Sequence, residues 1–90
     1  MISKREITDL SNEYRIAETK TFLKLIKKPE YRQIYSKIKS IIYSQLKNNP
    51  HYGHNIKKLK GEFQNIYRYR ISDYRLFYII DDKEKVVFVG

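Results

Sequence analysis

The stretch Tyr67-Arg68-Tyr69-Arg70-Ile71-Ser72-Asp73-Tyr74-Arg75-Leu76-Phe77-Tyr78 decides the fold of this 90-residue chain. Its residues alternate. Successive side chains of a strand point to opposite faces, so Tyr67, Tyr69 and Ile71 share one face and Arg68 and Arg70 the other. Ser72-Asp73 is a turn pair, and Tyr74 to Ile80 reads as the returning strand. A second turn at Asp81-Asp82-Lys83-Glu84 and a third strand from Lys85 to Val89 complete a meander. Links this short require antiparallel neighbours.

Upstream the period changes from two to 3.6. Ile34, Ile38, Ile41, Ile42 and Leu46 form an apolar stripe at helical spacing, extended by Tyr31 and Tyr35, with Lys37, Lys39 and Lys47 off it. Pro29 suits the first position of this helix, and Pro50 ends it near Asn48 and Asn49. A shorter helix precedes it, capped by Thr19 and running to about Lys27, with Phe22, Leu25 and Ile26 as its apolar face. Tyr14-Arg15-Ile16-Ala17 reads as a short strand. Ser3 and Glu6 form a capping box ahead of Ile7 and Leu10, which predicts an N-terminal helix. His51 to Gly61 reads as a loop. A helical hairpin with an apolar stripe and a meander with an aromatic face have one economical arrangement, an α+β fold of two layers. The hairpin packs on a twisted antiparallel β-sheet. The far face of the sheet stays uncovered and carries Arg68 and Arg70.

A chain of this length has room for one domain, taken as residues 1–90. It has no cysteine, so neither a disulfide nor a thiolate metal site is available. His51 and His54 alone are too few ligands for zinc, and no cofactor is expected. No segment approaches the roughly 20 apolar residues of a membrane span, and the first residues do not resemble a signal peptide. A cytoplasmic protein with no membrane partner is therefore expected. Nineteen Lys and Arg against ten Asp and Glu give a net charge of +9. Such a field attracts nucleic acid, an anionic membrane or an acidic protein. The charge is concentrated: Lys57, Lys58, Lys60, Arg68, Arg70 and Arg75 face only Glu62 and Asp73 in the same stretch. Arginine's planar fork matches phosphate, and interleaved tyrosines stack on unpaired bases. The competing reading is a solvated arginine face whose tyrosines simply belong to the core.

Leu59-Lys60-Gly61, a short gap, and then Tyr67 to Tyr78 resemble the signature of the RelE/ParE toxin superfamily. That signature is an L-K-G, an alternating Y-R-x-R strand, a G-D-Y-R turn and an apolar strand ending in Tyr. The resemblance covers the chain from about Tyr14 to Gly90. It implies a RelE-like toxin of a type II toxin–antitoxin pair. Such a toxin is a metal-independent, ribosome-dependent endoribonuclease that cleaves mRNA in the ribosomal A site and inhibits translation. It implies a cognate RelB-like antitoxin in a heterotetramer or higher complex. The net charge of +9 and the exposed basic face add that this partner should be acidic and helical, with Ile2, Ile7, Leu10 and an edge strand as candidate docking surfaces. It assigns catalytic positions to Arg68, Arg70 and Arg75, and RNA-backbone contacts to Lys57, Lys58 and Lys60.

The implied reaction is attack of a ribose 2′-hydroxyl on the adjacent phosphate. Arginines suit stabilisation of the charged phosphorane, but they stay protonated and are poor acids or bases. Lys60, His51 and His54 are the candidates for proton transfer. Relatives continue past the last strand with a further basic residue and a Tyr or His, whereas this sequence reads Val86-Val87-Phe88-Val89-Gly90. A shortened form, different catalytic groups and weak cleavage all stay open. So do a ParE-like toxin that inhibits DNA gyrase without cleaving nucleic acid, and a relative that only binds antitoxin. A shared fold does not separate these activities.

Overall fold

A computed structural model describes residues 13–60 and 65–90. The expected N-terminal helix around Ser3, Glu6, Ile7 and Leu10 lies outside the described residues, as does Gly61. Strand β1 (Arg15–Glu18) leads into helix α1 (Lys20–Ile26). Thr19 caps α1 by accepting a hydrogen bond from the Phe22 amide at 3.2 Å. A 3-10 turn at Pro29–Tyr31 opens a second helical run, made of α2 (Arg32–Lys37), a π-helical turn (Ile38–Ile42) and α3 (Tyr43–Asn48). Four strands follow: β2 (Ile56–Lys58), β3 (Ile66–Ile71), β4 (Tyr74–Asp81) and β5 (Val86–Val89).

The strands form one sheet in the order β1-β5-β4-β3-β2. The meander β3-β4-β5 is antiparallel, as its alternation and short turns require. Two findings differ from the expected sheet. β1 pairs with β5 in parallel, so the sheet is mixed at that edge. The chain between β1 and β5 includes both helical segments, and a connection of that length permits a parallel neighbour. The second is β2, which falls inside the stretch expected to be loop and pairs antiparallel with β3. It is three residues long, two of them lysine, and its pairing is set by β3 rather than by its own pattern.

The helices cover one face of the sheet. Leu46, Val87 and Val89 are fully buried, and Ile42 and Tyr78 nearly so. They join Phe22, Ile38, Tyr43, Tyr69, Ile71 and Leu76 in one core. Ile38, Ile42 and Leu46 keep the expected line toward the sheet, but Ile41 is 48% exposed. The Tyr43 amide reaches back to the Ile38 carbonyl across the π turn. That wider turn brings Ile42 and Tyr43 to the sheet and leaves Ile41 in solvent.

Polar ties close the two layers. Tyr35 and Tyr43 both donate to Glu18 Oε2, at 2.7 and 2.8 Å. Burial, reinforced by this carboxylate, pushes the Tyr35 hydroxyl up to about 12 and raises that of Tyr43 further in the same direction. Tyr69 donates to Gln45 on α3. Tyr78 donates to the Pro50 carbonyl at 2.8 Å, which gives this buried phenol the partner it needs.

Candidate nucleic-acid interface

Pairing register defines the uncovered face residue by residue. Directly opposed residues of an antiparallel pair project from the same face. Arg70 opposes Arg75, and Arg68 opposes Phe77 on one side and Lys57 on the other. Their sequence neighbours Tyr69, Ile71, Leu76 and Tyr78 are buried against the helices. Arg68, Arg70, Arg75 and Lys57 therefore share the face away from the helices. Ile66 and Ile79 form the next opposed pair, and Ile79 in turn opposes Phe88.

The Ser72-Asp73 turn brings Arg70 and Arg75 together. It is a two-residue link, since Ile71 and Tyr74 are paired. Ser72 adopts φ 50°, whereas Asp73 stays out of the positive region. That matches a hairpin turn with a left-handed first residue, a position that favours glycine. Arg70, Ser72, Asp73, Tyr74 and Arg75 line a depression of about 150 Å³ at this end of the sheet. Among the described residues none of the three arginines has a carboxylate within ion-pair distance. Arg68 Nε is enclosed and finds no acceptor among the described residues. Such a cluster can stabilise a phosphate or a developing phosphorane, because its donors are already assembled.

The expected lysine contacts separate. Lys57 is exposed and stands on the arginine face beside Arg68. Lys58 projects to the opposite side, its Nζ 5.9 Å from the centre of the Tyr67 ring. Lys60 is exposed and lies beyond β2.

The histidines are also placed. His51 Nε2 lies 2.9 Å from Asp82 Oδ1. The same oxygen accepts the Tyr14 hydroxyl at 2.7 Å. The His51 ring packs edge-on against Tyr14 and Tyr67, with centroids 5.9 and 5.8 Å apart. Tyr67 belongs to the helix-facing side of β3, so His51 stands across the sheet from Arg68. His51 thus ties the loop after α3 to the β4–β5 turn and does not reach the arginine cluster. Burial, then the bond to Asp82, pushes the Tyr14 hydroxyl up to about 12. That bond, aided by His51, holds the Asp82 carboxyl below the usual carboxylate range. His54 is exposed in the loop before β2.

One feature of the face is invisible in the alternation. Phe77, Ile79 and Phe88 are 43, 48 and 41% exposed and continue the surface from the arginines. β4 is apolar on both faces after Arg75, so its sequence does not say which residues point outward. Only the register with Arg68 and Arg70 does. Among the described residues no helix is long and apolar enough to cross a membrane, and no group of acidic residues and histidines could hold a metal.

Comparison with known proteins places this geometry. The toxin–antitoxin complex RelBE2 of Mycobacterium tuberculosis contains a similar chain, with 27% identity and a TM-score of 0.70 over 86% of this chain and 91% of that one. The archaeal RelE–RelB complex of Pyrococcus horikoshii gives 27% identity and a TM-score of 0.61, over 84% and 88%. A free double mutant of toxin RelE from E. coli gives 25% and 0.62, over 86% and 78%. No curated protein matches the chain. The family model described as the ParE toxin of the type II toxin–antitoxin system parDE matches residues 17–90. The chain therefore belongs to the ParE toxin family of type II toxin–antitoxin systems, within the RelE/ParE superfamily.

Proposed function

We propose that this toxin acts in the cytoplasm as a RelE-like endoribonuclease that cleaves messenger RNA in the ribosomal A site. A RelB-like antitoxin silences it. One observation carries the reading: Arg70 and Arg75 are direct cross-strand partners on an uncovered face, beside Arg68, with no carboxylate paired to any of them among the described residues. Like charges opposed across strands destabilise a sheet, and bound phosphate removes that penalty.

In the proposed reaction the ribose 2′-oxygen attacks the adjacent phosphorus and the 5′-oxygen leaves. The products are a 2′,3′-cyclic phosphate and a 5′-hydroxyl. Arg70 and Arg75 hold the non-bridging oxygens as charge grows on them, and Arg68 and Lys57 hold the flanking backbone. Of the side chains at the depression, the Asp73 carboxylate is able to accept a proton, and we assign it as the candidate base. Tyr74, opposite Ile71, turns its ring to Tyr31 on the helix side. The like chains of the M. tuberculosis and P. horikoshii structures are bound to antitoxins, which supports the partner assignment.

The description of the matched family favours a second reading, a ParE-like toxin that inhibits DNA gyrase and leaves RNA intact. Primer extension on translated messages after induction separates the two. The endonuclease reading expects new ends within translated codons, lost in Arg70→Ala. Intact messages with a supercoiling defect would overturn it in favour of gyrase inhibition.

A further inference from the structure

The exposed apolar strip beside the arginines is not accounted for by phosphate binding. An antiparallel sheet with one solvated face normally turns polar side chains outward. Here the outward positions of β4 run Arg75, Phe77, Ile79, and Phe88 opposes Ile79 on β5. The neighbours of both rings are small. Ala17 stands beside Phe88 across β1. Beside Phe77 lies Gly90, whose amide donates to the Phe77 carbonyl at 3.2 Å. Phe88 therefore meets no bulky side chain at its opposed position on β1, and both rings stay exposed, Phe77 at 43% and Phe88 at 41%. On the other side Phe77 has Arg68 and, one strand further, Lys57.

We propose that Phe77 and Phe88 are base-stacking platforms, and that the face takes single-stranded RNA with its bases splayed onto these rings and its phosphates on the arginines. The proposal rests on the reading of the arginines as phosphate ligands and adds the form of the nucleic acid. Charge complementarity selects the occupant: a chain of net charge +9 that sets cations one register step from exposed rings matches a polyanion with aromatic side groups. Every base has a π-face, so stacking tolerates sequence while phosphate contacts supply affinity. A duplex does not fit this arrangement, because its bases are stacked on one another and present only edges and backbone. Ile79 forms the floor between the two rings.

The test is fluorescence anisotropy with three labelled probes: a short oligouridylate, the same strand with abasic residues, and an RNA duplex of equal length. Phe77→Leu and Phe88→Leu keep apolar bulk but remove the ring, and both sites are exposed enough for the variants to fold. Each should weaken oligouridylate binding about tenfold, in the range lost with one stacked base. Neither should alter binding of the abasic strand, and Phe77→Tyr should retain wild-type affinity. Undiminished oligouridylate binding in both leucine variants overturns the proposal in favour of a protein-docking face. Equal loss on the abasic strand, or a duplex bound as tightly as the single strand, also overturns it. Arg75→Gln reports separately. If it leaves binding of all three probes unchanged, the phosphate reading itself fails.

Discussion

Replacing Arg75 with glutamine should make the toxin more stable and a poorer RNA binder. Arg70 and Arg75 oppose each other across β3 and β4, and both are exposed. Directly opposed Cβ atoms lie about 5 Å apart, and like charges there cost roughly 0.2–1 kcal/mol. Solvent places the pair toward the middle of that range, so Arg75→Gln should gain about 0.5 kcal/mol at low salt. For a domain of this size the urea dependence is about 1 kcal/mol per molar, so the midpoint should rise by about 0.5 M. In about 1 M salt the screening length falls to roughly 3 Å, and the gain should vanish. RNA binding should move the other way. Four cations (Lys57, Arg68, Arg70 and Arg75) cluster at the β2–β4 end of the face, and each phosphate neutralised on a single strand contributes a slope of about −0.7 in log K against log salt. Wild-type protein should approach about −2.8, and Arg75→Gln about −2.1. Urea titrations at two salt concentrations, with anisotropy on oligouridylate across a salt series, measure both. A variant less stable at low salt, or with an unchanged slope, would refute the claim that these guanidiniums are held together against repulsion for a phosphate ligand.

Tyr78→Phe should destabilise the fold by about 2 kcal/mol in the same urea assay, since it strands the buried Pro50 carbonyl that now accepts the phenol. Ser72→Gly should stabilise by up to about 1 kcal/mol, because glycine relieves the positive φ at this turn. Asp82 is held below its ordinary range first by the Tyr14 hydroxyl, then by His51. A depressed carboxylate contributes stability above its unfolded value of about 4 and loses it as pH falls through the folded value. Asp82→Asn should therefore lower stability at neutral pH and flatten the fall below about pH 4, measured by thermal melts across pH.

The meander and the helical hairpin were legible because their patterns are local: the alternation from Tyr67 to Ile71, the i, i+4 line of Ile38, Ile42 and Leu46, and turn residues between them. What the chain hid is non-local. β2 exists because β3 offers it a register, and β1 joins β5 in parallel through a link that spans both helical segments. Ile41 fits the helical stripe on paper, and a π turn removes it. The arginine cluster was readable in part. Arg68 and Arg70 share a face by alternation alone, but Arg75 joins them only through the two-residue turn. Lys57 and Lys58 are adjacent in sequence and fall on opposite faces once β2 is paired. Phe77 and Phe88 were hidden for the same reason: nothing local says which face of an all-apolar strand is outside. His51 finds its partners Asp82 and Tyr14 far away in sequence, and they draw it to the helix side.

In the proposed reaction the arginine face stabilises attack of a 2′-hydroxyl on phosphate. The most direct test is cleavage of a defined message on purified ribosomes by the purified toxin, with the termini mapped. The expected product is a cut in the A-site codon bearing a 2′,3′-cyclic phosphate. The cut should be abolished by a single 2′-deoxy substitution at that position and by Arg70→Ala. A message left intact by wild-type toxin under conditions where gyrase supercoiling fails would contradict it.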